Sequence, residues 1–448
     1  MTSLERCLVV GLGVTGDAVT AALVRRGHSV VVVEDHPSPA KLARAESLGV
    51  ELVEAPSPEM LGRLVGSSTA VLPSPGVPEA HSVFTAAARA GVGVLSELDL
   101  ARMWDTRPIV AITGTNGKTT VTTMVTEMIQ AGGRSCRSAG NTEVPLVEAI
   151  EDAGVDIFVV EASSFRLGHT QRFEPEVATW LNFAEDHLDA HRSLAAYEQA
   201  KARIWADLPP GGTRVANADD PVVMRNVPPG DRTVTFGVSE KADFGVRHGW
   251  LSAPGGVDLL RLDELVRQLP HDVSNSLAAA ATAFSAGVSI EPVRSVLGTF
   301  EGLAHRVQLV AEASGIRWFD DSKATAPHAT CAALRGFDSV VLIAGGRNKG
   351  LDLGSLADEI DRVRAVVAIG DAATEVKRVF EGSRTVVVAA SMPEAVSEAA
   401  ELASPGDAVL LSPGCASFDW YESYSERGDA FCSAVRAHLG GVKSEAGP

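Results

Sequence analysis

Positive charge is in short supply: the 448 residues carry 39 Lys and Arg against 57 Asp and Glu, a formal net charge of −18. No basic field remains for nucleic acid or an anionic membrane surface, and binding that needs cations is confined to local clusters. Nucleic acid is therefore excluded as a partner class. Cysteine is sparse as well. Cys7, Cys136, Cys331, Cys415 and Cys432 lie far apart without C-x-x-C spacing, which argues against zinc or disulfides and for reduced thiols in a cytoplasmic protein. Long apolar runs are missing, none approaching the ~18 residues of a membrane span. The first, Cys7 to Val10, enters a glycine turn instead of a cleavage site. Internal repeats and low-complexity tracts are absent too.

What the chain does contain is alternation. Short β-branched runs, at Cys7 to Val10, Val30 to Val33, Ala70 to Leu72, Ile109 to Thr113, Ile157 to Val160, Val340 to Ala344, Val366 to Ile369, Thr385 to Val388 and Ala408 to Leu411, are separated by Ala-rich helical stretches. That pattern predicts parallel sheets covered by helices. At roughly 150 residues per domain the length suggests about three domains. The alternation restarts at Ile109 and again after Gly302 to Arg306, so boundaries are expected near 107 and 304. Residues 228–270, rich in Gly and Pro, are expected to form loops and short strands at the edge of the middle domain.

Three glycine turns carry chemistry. Gly11, Gly13 and Gly16 form G-x-G-x-x-G between a strand and a helix, followed by Glu34-Asp35 after the next strand, a pattern that brings backbone amides to a diphosphate. A second turn, "PSPGVP" at 73–78, is expected at the same sheet edge. In the middle stretch "ITGTNGKTT" runs from strand to helix. The usual longer phosphate loop would place a glycine at Ile112, and none is there. Backbone amides of Gly114, Thr115, Asn116, Gly117, Lys118 and Thr119 can still cup phosphate oxygens, with Lys118 on the β and γ groups and Thr119 on Mg²⁺. Glu161 closes a later strand in "VVEASSF", and "LNFAEDHLDAH" places Asn182, Asp186, His187 and His191 ahead of Lys201 in "YEQAKARIW".

Taken in order, "TGTNGKTT", "EASSF", "NFAEDHLDAH", "YEQAKARI", "NADD", "HRV", "DDSKATAP" and "LSPGCASFDWYESYSERG" resemble the Mur ligases from end to end of the chain. The likeness is to members that add D-glutamate to UDP-N-acetylmuramoyl-L-alanine in peptidoglycan synthesis. It implies an α/β protein of three domains: a Rossmann-like UDP-sugar domain (1–107), a central P-loop ATPase domain with a mostly parallel sheet (108–303), and a Rossmann-like amino-acid domain (304–448). It also implies chemistry in which ATP phosphorylates a carboxylate and the incoming amine attacks the acyl phosphate.

By the same resemblance, residues 114–120 (Thr120 included) and Asn275, Arg306 and Asp321 bind ATP, while Thr119, Glu161, His187 and Lys201 hold two Mg²⁺ ions, Lys201 as its N-carbamate. For Asn275 a helix cap for Leu277 onward is the alternative. Lys118, Glu161, His187, Lys201 and Lys349 are the implied catalytic set. Val14, Thr15, Asp35, Ser74 and Asn141 are implied to contact the UDP-sugar, and Lys323, Thr325, Ser417 and Tyr424 the D-glutamate carboxylates. Approach of Arg306, Asp321 and Lys349 to ATP implies domain closure. A monomer acting on small molecules is expected. His36-Pro37, Thr142-Glu143, Asn348 and Asp272 depart from the family's usual residues. L-glutamate as substrate, a nicotinamide dehydrogenase built on Gly11 to Gly16, and a non-catalytic nucleotide sensor are the other readings; the dehydrogenase gives no role to Lys118, Glu161, His187 or Lys201.

Overall fold

The computed structural model describes residues 3–141, 144–186, 191–230 and 232–445, with side chains as far as 440. The chain divides into two compact units, residues 1–265 with 274–299, and 266–273 with 300–448.

The larger unit opens on five strands, β1 (Arg6–Val10), β2 (Ser29–Glu34), β3 (Glu51–Glu54), β4 (Ala70–Pro73) and β5 (Gly93–Val94), in the order β3-β2-β1-β4-β5 and all parallel. The continuous apolar runs have a direct cause. Cys7, Val9, Val30, Val32 and Leu72 pack into one core cluster, while Leu8, Val10, Val31, Val33 and Val71 pack into another, so both faces of the sheet are covered by helices. Helix Glu97–Trp104 follows, its start set by a capping box between Ser96 and Asp99. Asp99 also accepts the backbone N–H groups of Gln171 (2.8 Å) and Arg172 (2.6 Å), clasping a later segment of the chain.

A second sheet follows, built from β6 (Ile109–Thr113), β7 (Cys136–Gly140), β8 (Ile157–Glu161), β9 (Val177–Trp180), β10 (Thr213–Asn217) and β11 (Thr233–Phe236). These six strands are parallel, in the order β11-β10-β9-β6-β8-β7. β6 lies inside the sheet, between β8 and β9, so the loop at its C-terminal end faces the ends of both neighbours. Residues 228–270 supply β11 at the sheet edge and a small antiparallel sheet of β12 (Gly245–Arg247), β13 (Trp250–Ala253) and β14 (Val257–Arg261).

The smaller unit holds β15 (Gln308–Ala313), β16 (Ile316–Asp320), β17 (Val340–Gly345), β18 (Val363–Ile369), β19 (Thr385–Val388) and β20 (Ala408–Leu411), ordered β15-β16-β20-β17-β18-β19. Only β15 runs antiparallel to its neighbour. Leu342, Val366 and Leu410 enter one core cluster and Val341, Val367 and Val409 the other, again a sheet covered on both faces. Among the described residues no helix is long and apolar enough to cross a membrane.

Candidate active site

The shortened glycine loop has a simple structural basis. Ile112, where the longer loop would carry glycine, is a fully buried residue of β6, and the strand continues to Thr113 before the turn begins. The turn ends at Gly117, which adopts φ +80° and precedes helix Lys118–Ala131 without a side-chain cap. A Cβ at Gly117 would come within 2.4 Å of Asn275 Oδ1. Glycine is required there by conformation and by space alike. Asn275 thus lies against the loop from within helix Pro270–Ser285; a cap at the start of a helix beginning near Leu277 is ruled out. Asn182 clamps the loop from the other side. Its Oδ1 accepts from Asn116 N–H (2.8 Å), and its Nδ2 donates to Asn116 O (3.2 Å).

Two lysines converge on one carbonyl. Lys118 Nζ donates to Gly114 O and Thr115 O, both at 2.8 Å, and Lys201 Nζ donates to the same Gly114 O at 2.7 Å. Lys201 is 1% exposed and lies over the Tyr197 ring, 4.6 Å from its centroid. Burial first, then the neighbouring Lys118 charge, hold its pKa well below the usual lysine value; Asp186 and Glu161 oppose this but are outweighed. Glu161, at the end of β8, is 3% exposed. Its Oε1 accepts from Asn141 Nδ2 (3.0 Å), whereas Oε2 is buried with no hydrogen-bond partner among the described residues. Thr113 Oγ1 and Ser163 Oγ are buried and unpartnered in the same way, and Ile112 pairs with Glu161 across the ladder. A buried carboxylate oxygen left without a partner, with no sulfur ligand, suits a hard divalent cation such as Mg²⁺. Thr119 and Thr120 stand half-buried in the first turn of the helix. His187 and Thr142-Glu143 lie outside the described residues, and among those described no group of three or more His, Cys, Asp or Glu could hold a metal.

The first glycine turn is held by Glu34, the neighbour of the Asp35 that the resemblance singles out. Glu34 is 5% exposed and accepts from Leu12 N–H (2.8 Å), His36 N–H (3.0 Å) and Lys41 (2.9 Å). Burial opposes its ionisation, but these hydrogen bonds outweigh burial and keep its carboxyl below the usual range. Asp35 is exposed and pairs with His81 Nε2 at 2.9 Å. Because His81 Nδ1 accepts from Val83 N–H (3.2 Å), Nε2 carries the proton. Ser74 Oγ donates to Gly11 O (2.6 Å), and a Cβ on Gly16 would fall 1.9 Å from that same oxygen. This close approach is what the third glycine permits. Val14 is exposed, so the uncapped N-terminus of helix Val14–Arg25 is open to solvent. His191, by contrast, is buried between Glu79 (2.7 Å) and Ser164 (2.9 Å).

In the smaller unit β16 and β20 are adjacent and parallel, so the segments 320–325 and 412–417 leave the same sheet edge. Asp321 accepts from Ser412 Oγ (2.7 Å) and Val307 N–H (3.2 Å). Lys323 Nζ sits 3.7 Å from the centroid of the Tyr424 ring, and its charge and hydrogen bond outweigh burial to lower the Tyr424 pKa. Arg427, 1% exposed, ties the two segments together through Ser322 O (2.8 Å) and Cys415 O (3.1 Å). Arg347 and Ala416 exchange backbone hydrogen bonds (2.8 and 3.0 Å), which brings exposed Lys349 alongside the 412–417 segment. Ser417 is buried there, and Arg306 and Thr325 are half-buried. Arg427 was missed by sequence reading because nothing local distinguishes it from other helix arginines.

Burial pushes the Asp321 carboxyl up from 3.8 to about 7. The folded protein then keeps it neutral across a range where the unfolded chain ionises it. Its stabilising effect is complete below pH ~4 and lost as pH rises through ~7, a swing of up to about 4 kcal/mol. Asp321→Asn removes this titration. The wild-type melting temperature is therefore expected to fall relative to the variant's between pH 5 and pH 8; a constant gap across thermal scans at both pH values would contradict it.

Three family profiles match in succession: "Mur ligase MurD-like, N-terminal domain" over residues 5–96, "Mur ligase middle domain" over 112–283, and "Mur ligase, glutamate ligase domain" over 305–415. The chain belongs to the Mur ligase family. It is 39% identical to a UDP-N-acetylmuramoylalanine--D-glutamate ligase of Desulfosudis oleivorans, with 97% of each chain covered. It is 43% identical to one of Frankia casuarinae, covering 97% of this chain and 94% of that protein. Among solved structures it is similar in fold to the MurF ligase of Thermotoga maritima in complex with ADP (TM-score 0.62, 17% identity, 92% of this chain and 95% of that one). MurF of Acinetobacter baumannii is similar too (TM-score 0.60, 17% identity, 96% and 94%). As a Mur ligase the chain is an enzyme, and its α/β class with parallel sheets is the one its alternating runs predict.

Proposed function

We propose that this Mur ligase joins D-glutamate to UDP-N-acetylmuramoyl-L-alanine, using ATP to convert the substrate carboxylate to an acyl phosphate that the amine of D-glutamate attacks with release of phosphate. The observation that carries this is the meeting of Lys118, Lys201 and the phosphate-type loop at Gly114 O, with the unpartnered Glu161 oxygen at the end of the adjacent strand. Loop amides and Lys118 bind the triphosphate, and Asn275, whose side chain lies against Gly117, is read as the adenine contact. Thr119, Glu161, His187 and a Lys201 carbamate would hold Mg²⁺, which when bound would supply the charge that the transferring phosphoryl group needs. The Lys201 carbamate forms when the neutral amine attacks CO₂ and gives up a proton. That exchange puts an anionic oxygen donor where the chain otherwise offers only an amine.

The UDP-sugar takes the turn at Gly11 to Gly16, with Val14, Thr15 and Ser74 toward the diphosphate, Asp35 toward the uridine and Asn141 toward the sugar end. Lys323, Thr325, Ser417 and Tyr424 hold the two carboxylates of D-glutamate, and the Lys323 ammonium fixed over Tyr424 supports that assignment. We assign domains 1–107, 108–303 and 304–448, and infer a monomer working in the cytoplasm. Phosphate release from ATP with UDP-N-acetylmuramoyl-L-alanine is expected to need that acceptor and to be fastest with D-Glu among D-Glu, L-Glu, L-Lys and meso-diaminopimelate. L-Glu as the best amine would move the assignment to the other enantiomer, and L-Lys would overturn it.

A further inference from the structure

Arg166 lies five residues beyond Glu161, in the short helix Ser164–Leu167, and its side chain is 5% exposed. Nη1 pairs with Glu97 Oε1, and Nη2 donates to Thr15 Oγ1 at 3.0 Å. The second oxygen of Glu97 accepts from Val147 N–H at 3.1 Å, and the Glu97 side chain is 1% exposed. A buried ion pair of this kind is a poor source of stability, since apolar residues of equal volume often serve as well. Its third bond goes to the first turn of helix Val14–Arg25, at the glycine turn.

A threonine hydroxyl has one proton and two lone pairs, and a guanidinium N–H can only donate. Thr15 Oγ1 must therefore accept from Arg166, and among the described residues it makes no other hydrogen bond. One lone pair is committed and the hydroxyl proton is left to donate. Glu97 neutralises the Arg166 charge, so the effect of the pair is on hydroxyl direction and not on net field. The ligand that profits is an anion at the open helix N-terminus, where the backbone amides also point.

We propose that Arg166, held by Glu97, is a positioning residue that sets the Thr15 hydroxyl as a donor to the diphosphate of the nucleotide sugar. This rests on the UDP-sugar reading given above. The probe is UDP, titrated calorimetrically into the full chain. Thr15→Val removes the hydroxyl, Thr15→Ser retains it, and Arg166→Lys keeps a cation against Glu97 while giving up the fork that spans both partners. Thr15→Val and Arg166→Lys are each expected to weaken UDP about tenfold, the usual loss for one hydrogen bond to a charged group. Thr15→Ser should stay close to wild type. The double variant Arg166→Lys/Thr15→Val should be no weaker than Thr15→Val alone, because the arginine acts through the hydroxyl. The KM for the UDP-sugar should follow UDP affinity, with the KM for ATP unchanged and kcat altered less than about twofold. The charge-free pair Arg166→Gln/Glu97→Gln repeats the measurement with no lone buried charge and should match Arg166→Lys. Wild-type UDP affinity in a folded Arg166 variant, or an additive loss of about a hundredfold in the double variant, would overturn the proposal. Failure of the wild type to bind UDP would instead sink the nucleotide-sugar reading beneath it.

Discussion

Lys201→Ala is expected to reduce ligation by a thousandfold or more, roughly 4 kcal/mol of transition-state stabilisation. The ordinary place for a lysine in a helix such as Leu194–Ala202 is the solvent face, where its loss would be nearly neutral. Lys201 is instead fully buried, with its nitrogen 2.7 Å from Gly114 O and a second ammonium sharing that oxygen. Burial and the Lys118 charge both favour the neutral amine, the only form that can capture CO₂. Lys201→Glu, which restores a carboxylate without carbamylation, should recover part of the lost activity. In wild-type protein supplied with ¹³C-labelled bicarbonate, a carbamate carbon resonance should appear that both variants lack. Full turnover with an unmodified amine in carbonate-depleted buffer would refute the role.

Lys118→Ala should cost a comparable factor in kcat/KM for ATP, for two separable reasons. It deletes the cation at the phosphate loop, worth several kcal/mol in typical phosphoryl-transfer sites. It also removes a charge that depresses the Lys201 pKa, so the neutral amine becomes scarcer at a given pH and the carbamate harder to form. The first effect appears as lost ATP binding and turnover. The second appears as a weaker carbamate resonance at Lys201 in the absence of ATP. Lys118 also ties Gly114 O to Thr115 O, so a thermal scan of the variant is needed beside the kinetics. Near-normal turnover would reduce the loop to a structural turn.

The parts of this protein legible in the sequence are those whose physics is local. A parallel strand buried on both faces needs an unbroken apolar run, so β1, β6, β17 and β20 stand out as such runs. A loop that approaches phosphate needs glycines at fixed spacing between that run and a helix. Strands of mixed composition escaped notice: Cys136–Gly140 reads CRSAG, and Gln308–Ala313 carries a glutamine and a glutamate. Their strand character comes from the neighbour that supplies the ladder hydrogen bonds rather than from their own side chains.

By itself the sequence determined the α/β class, the order of the glycine turns and the chemical types gathered near each, because strand, turn and helix preferences act over a few residues. Only the tertiary structure showed that Glu34 braces the first glycine turn, since its partners Leu12, His36 and Lys41 reach it once the strands are paired. It alone buried Lys201 beside a carbonyl 87 residues away and joined Arg166 to Thr15 across 151 residues. The electrostatic state of a side chain depends on the dielectric and charges around it, and those are set by parts of the chain that meet only on folding.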